Sequence, residues 1–536
     1  MSDVIKNPCD AGVIQGRPAI RTTPAEAGPW VLAATILGSS MVFINGSTVN
    51  VALPALQMAL ASTVVDIQWV VNAYTLFLAS LILLGGSLGD HLGRRRIFMI
   101  GVAIFAAASL WCGLAPTVNM LIVARAVQGI GGALLTPGSL AIISATFAEE
   151  ERGRTIGLWA GFSALTSALG PLLGGWLIDT FSWRWIFFLH LPLAAIVLVI
   201  SWWRVPESRD EQTSAGIDWW GAVLATLGLG GITYGLIESS TRGLAHPFVL
   251  TALIAGVTLL ALLVVVEARA EAPLIPPGLF RSRTFSGANA LTLLLYTALG
   301  GILFFLPLNL VQVQGYSATA AGAALLPTIL LLSLLSSWSG GLMNRVGARL
   351  PLIVGPAVAA AGFFLFSLPG IGGSYWTTFF PATAVLGLGM AISVAPLTAT
   401  VMSAVPAHYA GTASGINNAA ARVANLLAVA LLGIVMLQTF SHHLNEQVAA
   451  LSLPAEAQAM IIRQRADLAN LQPPASLNSG QVAAVEQVVA EAFVAGFRFV
   501  AYLTAGLALF SAVIAWFTIE AGVIGEADQA QIQEFR

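Results

Sequence analysis

Charge is what this chain has least of. Of 536 residues, 23 are Lys or Arg and 25 are Asp or Glu, 9% in all, against 57% hydrophobic residues. At a mean hydropathy of +0.85, a water-soluble body of this size could not hide its apolar surface. Lipid is the solvent that fits. A net charge of −2 leaves no basic surface for nucleic acid. Cysteine is nearly absent. Cys9 falls in a polar tail and Cys112 in an apolar run, so a disulfide would join different compartments and none is expected. No G-x-x-x-x-G-K-[ST] loop is present to cradle a phosphate, so ATP is not a direct driver. Metal-ligand spacing is also missing, and the adjacent His442 and His443 read as solvated surface. No cofactor, no metal and no enzymatic chemistry are expected. The first 29 residues carry Lys6, Arg17 and Arg21 but no apolar signal-peptide core, and so read as a cytoplasmic tail before a retained helix.

Long apolar runs are what the chain does have. A helix crosses a bilayer with about 20 mostly apolar residues. About fourteen such runs follow one another, near 30–54, 68–89, 97–115, 118–140, 155–178, 184–203, 217–238, 247–266, 284–310, 319–342, 351–370, 376–398, 410–437 and 493–519. No barrel-like alternation occurs, so the expected class is an all-α membrane protein. Arginines fall in alternate connections, including Arg94, Arg95, Arg96, Arg152, Arg154, Arg204, Arg209, Arg345 and Arg349. The opposite connections hold few, chiefly Arg184, Arg242, Arg463 and Arg465. The positive-inside rule then puts both termini in the cytoplasm and the long loop at about 438–492 outside. That loop, broken by Pro473-Pro474, predicts short surface helices. The expected division is a tail (1–29), a six-helix half (30–203), an inserted pair (204–283), a second six-helix half (284–519) and a tail (520–536).

One connection concentrates the scarce charge. Gly86-Ser87-Leu88-Gly89-Asp90-His91-Leu92-Gly93-Arg94-Arg95-Arg96 joins the second and third runs, and Gly340 to Arg349 echoes it with Asn344 in place of Asp90. Gly129-Ile130-Gly131 pairs at nearly the same offset with Gly387-Leu388-Gly389, as Gly153–Gly157 does loosely with Gly411–Gly415. The first loop, G-x-L-x-D-x-x-G-R-[RK]-[RK], resembles the signature loop of the major facilitator superfamily of transporters. Arg125 to Ala133 looks like its fourth-helix R-x-x-Q-G-x-G-x-A pattern, and Gly170 to Gly175 like the GPxxGG motif of antiporters. Ser47 to Pro54 and Trp183 to Phe188 are similar to the fourteen-helix drug:proton antiporter branch. The resemblance spans nearly the whole chain. It implies a major facilitator fold, two parallel six-helix halves plus an inserted pair, around a midplane site. It further implies secondary export of amphipathic small molecules by alternating access, with protons as coupling ion, from the cell inner membrane. That branch usually carries an aspartate where Asn45 stands, and asparagine cannot carry a proton.

Each motif also has a physical reading. Gly86, Asp90, Gly93, Arg94 and Arg95 form a polar connection that can latch one conformation, or merely orient the helices topogenically. Gly170 and Pro171, with Gly174 and Gly175, permit a bend for rocking or simply close packing. Arg125, inside the fourth span, is costly in lipid unless it faces a cavity or a partner, and Arg422 raises the same question. Aromatics and amides suited to a greasy pocket are Asn45, Asn50, Trp69, Asn72, Tyr74, Gln128, Asn289, Tyr296 and Asn417, some of which would only bond helix to helix. With Asn45 unable to titrate, the alternative proton carriers are Asp66, Glu238 and the interfacial His190. Arg125 without a fixed acid favours anionic or neutral cargo. Partners expected are a small-molecule substrate, the bilayer and protons, with any envelope partner unassigned. Two rival readings are a dedicated exporter or facilitator of one anionic metabolite or lipid, and a non-transporting sensor or scaffold.

Overall fold

The computed structural model describes residues 28–147, 149–209, 218–270, 273, 275–406 and 409–520. The two tails, and with them Cys9, lie outside the described residues, as do the side chains of Gly340–Arg345 in the second-half echo. All regular structure among the described residues is helical, and twelve helices there are long and apolar enough to cross a membrane.

The first bundle comprises α1 (Gly28–Ala59), α2 (Val64–Leu92), α3 (Arg94–Leu114), α4 (Val118–Thr146), α5 (Glu149–Thr180) and the sixth span, α6 (Trp185–Phe188) running on through Leu189 into α7 (His190–Arg204). A pair follows, α8 (Trp219–Arg242) and α9 (Pro247–Glu267). The second bundle holds α10 (Arg283–Leu308), α11 (Ala318–Ala323) with α12 (Leu326–Val346), α13 (Arg349–Leu365), α14 (Tyr375–Ser403) and α15 (Ala410–Ala450). Beyond it come α16 (Ala455–Arg463), a 3-10 turn at Gln464–Asn470, and α17 (Ser479–Thr518). Polar side chains start several of these helices. Thr63 makes a capping box with Asp66 on α2, Ser282 caps α10, and Asn478 makes a capping box with Gln481 on α17.

Small residues set the packing, as they must where lipid gives helices no hydrophobic reason to associate. On α4, Gly129 lies against the Tyr74 backbone of α2 and Gly131 against Phe105 of α3. On α14, Gly387 lies against Thr328 of α12 and Gly389 against Ala359 of α13. The sequence repeat is thus a repeat of close approaches, one helix wedged between two others in each bundle. The bundles meet where α2 runs beside α15 and where α5 meets α11. The α8–α9 pair packs on that seam, α8 touching both α2 and α15. Most of α9, including Ile254, Val257 and Val264, is exposed, as a lipid-facing helix would be.

The expected outer loop is the main departure. α15 and α17 run on for 41 and 40 residues, leaving only 451–478 between them. At 1.5 Å per residue each helix is about 60 Å long, twice the hydrocarbon core. Hydropathy ends where the lipid ends, but burial continues. Leu444, Val448, Val485, Val488 and Val489 are all buried in an extension of the membrane core. α16 and the 3-10 turn are the short helical pieces between these two long helices.

Candidate functional site

Arg125 is the largest fully buried side chain, 1% exposed. α4 positions it toward α1 and α2, where neutral groups hold it. Nε donates to the Val70 carbonyl (3.0 Å), and Nη1 donates to Asn45 Oδ1 (3.1 Å) and Gln128 Oε1 (2.5 Å). The guanidinium also lies 4.2 Å from the centre of the Tyr74 ring, a cation–π contact. Gln128 Nε2 passes the chain on to Ser109 Oγ (2.8 Å), a member that sequence reading missed because serine is common in spans. Among the described residues no carboxylate pairs with Arg125.

The same place collects polar atoms without partners. Asn45 Nδ2 and Tyr74 Oη are buried without a hydrogen-bond partner; both side-chain polar atoms of Asn72, elsewhere on α2, are likewise unbonded. Arg422, on α15 in the other bundle, lies within electrostatic range of Tyr74 and has a buried, unpartnered Nε. Tyr74 is therefore within electrostatic range of two guanidinium groups, one from each bundle.

The other expected residues divide. Asn417 donates to Asn289 Oδ1 (3.2 Å) and Thr292 Oγ1 (2.6 Å), a helix-to-helix bond between α15 and α10. Asn50 and Tyr296 are half-buried, the latter against the core. Trp69 packs on Tyr234 of α8, ring centres 6.2 Å apart, and so belongs to the contact with the inserted pair. Of the alternative proton carriers, Asp66 is occupied in the capping box, accepting from Thr63 N (2.9 Å) and Oγ1 (2.8 Å). Glu238 pairs with Arg242 at 2.8 Å. His190 is wholly buried within the first bundle, with Nε2 3.2 Å from the Met41 carbonyl of α1 and Nδ1 3.2 Å from that of Phe187.

At the arginine-rich face Asp90 Oδ1 accepts from Arg94 Nε and pairs with its Nη2, both at 2.8 Å. Gly93 turns the chain at φ 112°, and a Cβ there would strike the Glu207 carboxyl at 2.8 Å. Glu207 is a second member that sequence reading missed. Its Oε1 accepts from Arg95 N (3.0 Å), while Oε2 lies 3.7 Å from Arg95 and 3.5 Å from Arg96. It comes from the stretch after α7, where nothing local marks it.

At the opposite face the bundles are joined. Gly170 and Gly174 lie on Ser47 and Thr48 of α1, Gly175 on the Ala318 carbonyl, and Gly322 of α11 on the Pro171 carbonyl. Asp179 accepts from Ala318 N (3.1 Å), Thr319 N (2.8 Å) and Thr319 Oγ1 (2.5 Å). Gln57 donates to the Asp467 carbonyl (2.8 Å) and accepts from Gln312 (3.0 Å).

The chain with this buried polar cluster at the seam of two repeated bundles, a charged turn at one face and a glycine-packed closure at the other is similar to known transporters. The chain is 31% identical over 520 residues to the tetracenomycin C resistance and export protein of Streptomyces glaucescens, covering 96% of each chain. It is 34% identical over 406 residues to the multidrug resistance protein Stp of Mycobacterium tuberculosis, covering 76% of this chain and 75% of that one. Its fold is similar to a bacterial homologue of the human lysosomal transporter Spinster in an inward-facing conformation, with TM-score 0.61 and 16% identity over 92% of this chain and 98% of the other. The POT family transporter PepTSo is similar at TM-score 0.64 and 14% identity, over 95% and 99%. At those identities the structural likeness carries the fold alone. Residues 35–429 match the model of the Major Facilitator Superfamily, and with these motifs in these places the chain belongs to that superfamily of membrane transporters.

Proposed function

We propose that this transporter exports amphipathic small molecules, drugs among them, from the cytoplasm across the inner membrane by alternating access. Fourteen spans with both termini inside, arranged as two halves and an inserted pair, would carry it. The observation that carries the reading is the seam cluster, where Arg125 and Arg422 from opposite bundles both lie within electrostatic range of Tyr74, at the place a rocking motion would expose to each side in turn. Export proteins similar over 96% of the chain support the direction. Asp90, Gly93 and Arg94 would latch the cytoplasmic face, and Gly170–Pro171 would let α5 bend. In this reading the described state has its outer face closed through Asp179 and Gln57.

Proton antiport is the coupling the family implies, and Asn45 makes its route unusual. Asp66 is engaged in its capping box and Glu238 with Arg242, whereas His190 is buried within electrostatic range of Arg125. His190 is therefore the carrier this reading names. The test is a proteoliposome assay with an internal pH dye, an imposed gradient and a panel of cationic and anionic amphiphiles. Substrate-dependent proton flux in the unmodified protein, abolished in His190→Gln, is the expected result. Cargo flux with no proton movement would remove coupling and leave the second reading, an uncoupled exporter of one anionic metabolite, which the missing acid beside Arg125 favours.

A further inference from the structure

The seam cluster is unbalanced in charge. Arg125 takes Asn45 Oδ1, Gln128 Oε1 and the Val70 carbonyl. The buried donors Asn45 Nδ2 and Arg422 Nε remain unpartnered beside the Tyr74 hydroxyl, which can donate or accept. Asn45 is fully buried and Tyr74 is 4% exposed. Two guanidinium groups face this spot and no acid answers them among the described residues. Buried donors left unmade are costly, and a surplus of donors beside positive charge is relieved by an acceptor that carries negative charge. Planar two-oxygen groups suit guanidinium best, because its N–H groups form a fixed fork.

We propose that Asn45, Tyr74, Arg125 and Arg422 together bind a monoanionic carboxylate or phenolate on the cargo, so that the transporter selects amphipathic acids over amphipathic cations. This rests on the export reading. Asn45 is then the residue that sets selectivity. An aspartate in its place would neutralise Arg125 from within the protein, and the site would no longer call for an anion. The amide leaves that position open to the cargo's own charge. Binding an anion between α1, α2 and α4 of one bundle and α15 of the other also ties the two bundles through the substrate, as a transported ligand must.

The experiment is equilibrium binding to the purified full-length protein in lipid nanodiscs, with three probes sharing one aromatic body: 2-naphthoate, its methyl ester, and the matched trimethylammonium derivative. The expected result is at least tenfold tighter binding of naphthoate than of ester or cation, roughly the strength of one hydrogen bond to a charged group. Asn45→Asp, which is isosteric, is expected to erase or reverse that preference, and Arg125→Lys to weaken naphthoate while keeping the protein monodisperse. Equal or tighter binding of the ammonium probe, or an unchanged preference in Asn45→Asp, would overturn the proposal. Repeating the titration with chloride replaced by gluconate separates cargo from inorganic anion: naphthoate affinity that rises about tenfold on removing chloride would assign the site to chloride instead. Efflux of the ammonium probe from cells with no naphthoate preference would sink this inference and leave export standing, whereas binding and efflux of none of the probes would sink both.

Discussion

At the scale of single residues, function and stability separate most clearly at the charged turn. The Asp90–Arg94 pair is partly exposed, with side chains 38% and 20% accessible, so it adds at most about 1 kcal/mol to stability. Asp90→Ala is therefore expected to insert and melt like the unmodified protein while losing most outward flux. A scaffold that no longer rocked would be indifferent. Glu207→Gln keeps the shape but loses the charge facing Arg95 and Arg96, and should slow flux with binding unchanged. Gln128→Leu is the contrasting case. It strips Arg125 of an acceptor and Ser109 of a donor inside lipid, at a cost of about 1–3 kcal/mol. Thermal melting in detergent should show that loss, whereas Asp90→Ala should leave the melting point in place.

At the scale of elements, α5 and α11 form the closure opposite the arginines. Gly175 touches the Ala318 backbone, and any side chain there would push the two helices apart. Gly175→Leu is expected to open this face. A cysteine replacing Leu172 in a background without Cys9 and Cys112 should then react with maleimide from outside several-fold faster than in the parent. An unchanged rate would mean that the glycine contact does not hold the closed state.

At the scale of the whole molecule, the hairpin of α15 and α17 carries the 3-10 turn at Gln464–Asn470 against the ends of α1 and α2. Burial, together with the nearby Asp66 charge, raises the Asp467 carboxyl above its ordinary value near 4. A carboxyl raised in the folded state lends stability below its ordinary value and loses it as pH rises through the folded value. Docking of this turn should therefore weaken from acid toward neutral pH. Asp467→Asn should flatten that dependence and raise the neutral-pH melting point by about 1 °C, a small effect because the group is half in water. A steeper dependence in the variant would contradict the assignment.

Composition and spacing alone determined that this is a helical membrane protein, where its charged turn lies, and that it repeats. Lipid allows little else for such a sequence, and the glycine and arginine motifs are local, so nearest neighbours along the chain suffice to read them. Asp90 with Arg94 was legible because the two lie four residues apart in one short connection, on either side of the turn at Gly93. The tertiary structure alone decided that Arg125 has amides and a tyrosine instead of an acid, that Glu207 braces the turn from more than a hundred residues away, that Trp69 serves the inserted pair, and that Asp467 lies over Gln57. Those partners come from separate helices whose rotation about their own axes depends on which glycines meet. Hydropathy is blind to rotation, and it stops at the membrane surface while the helices of the outer hairpin do not.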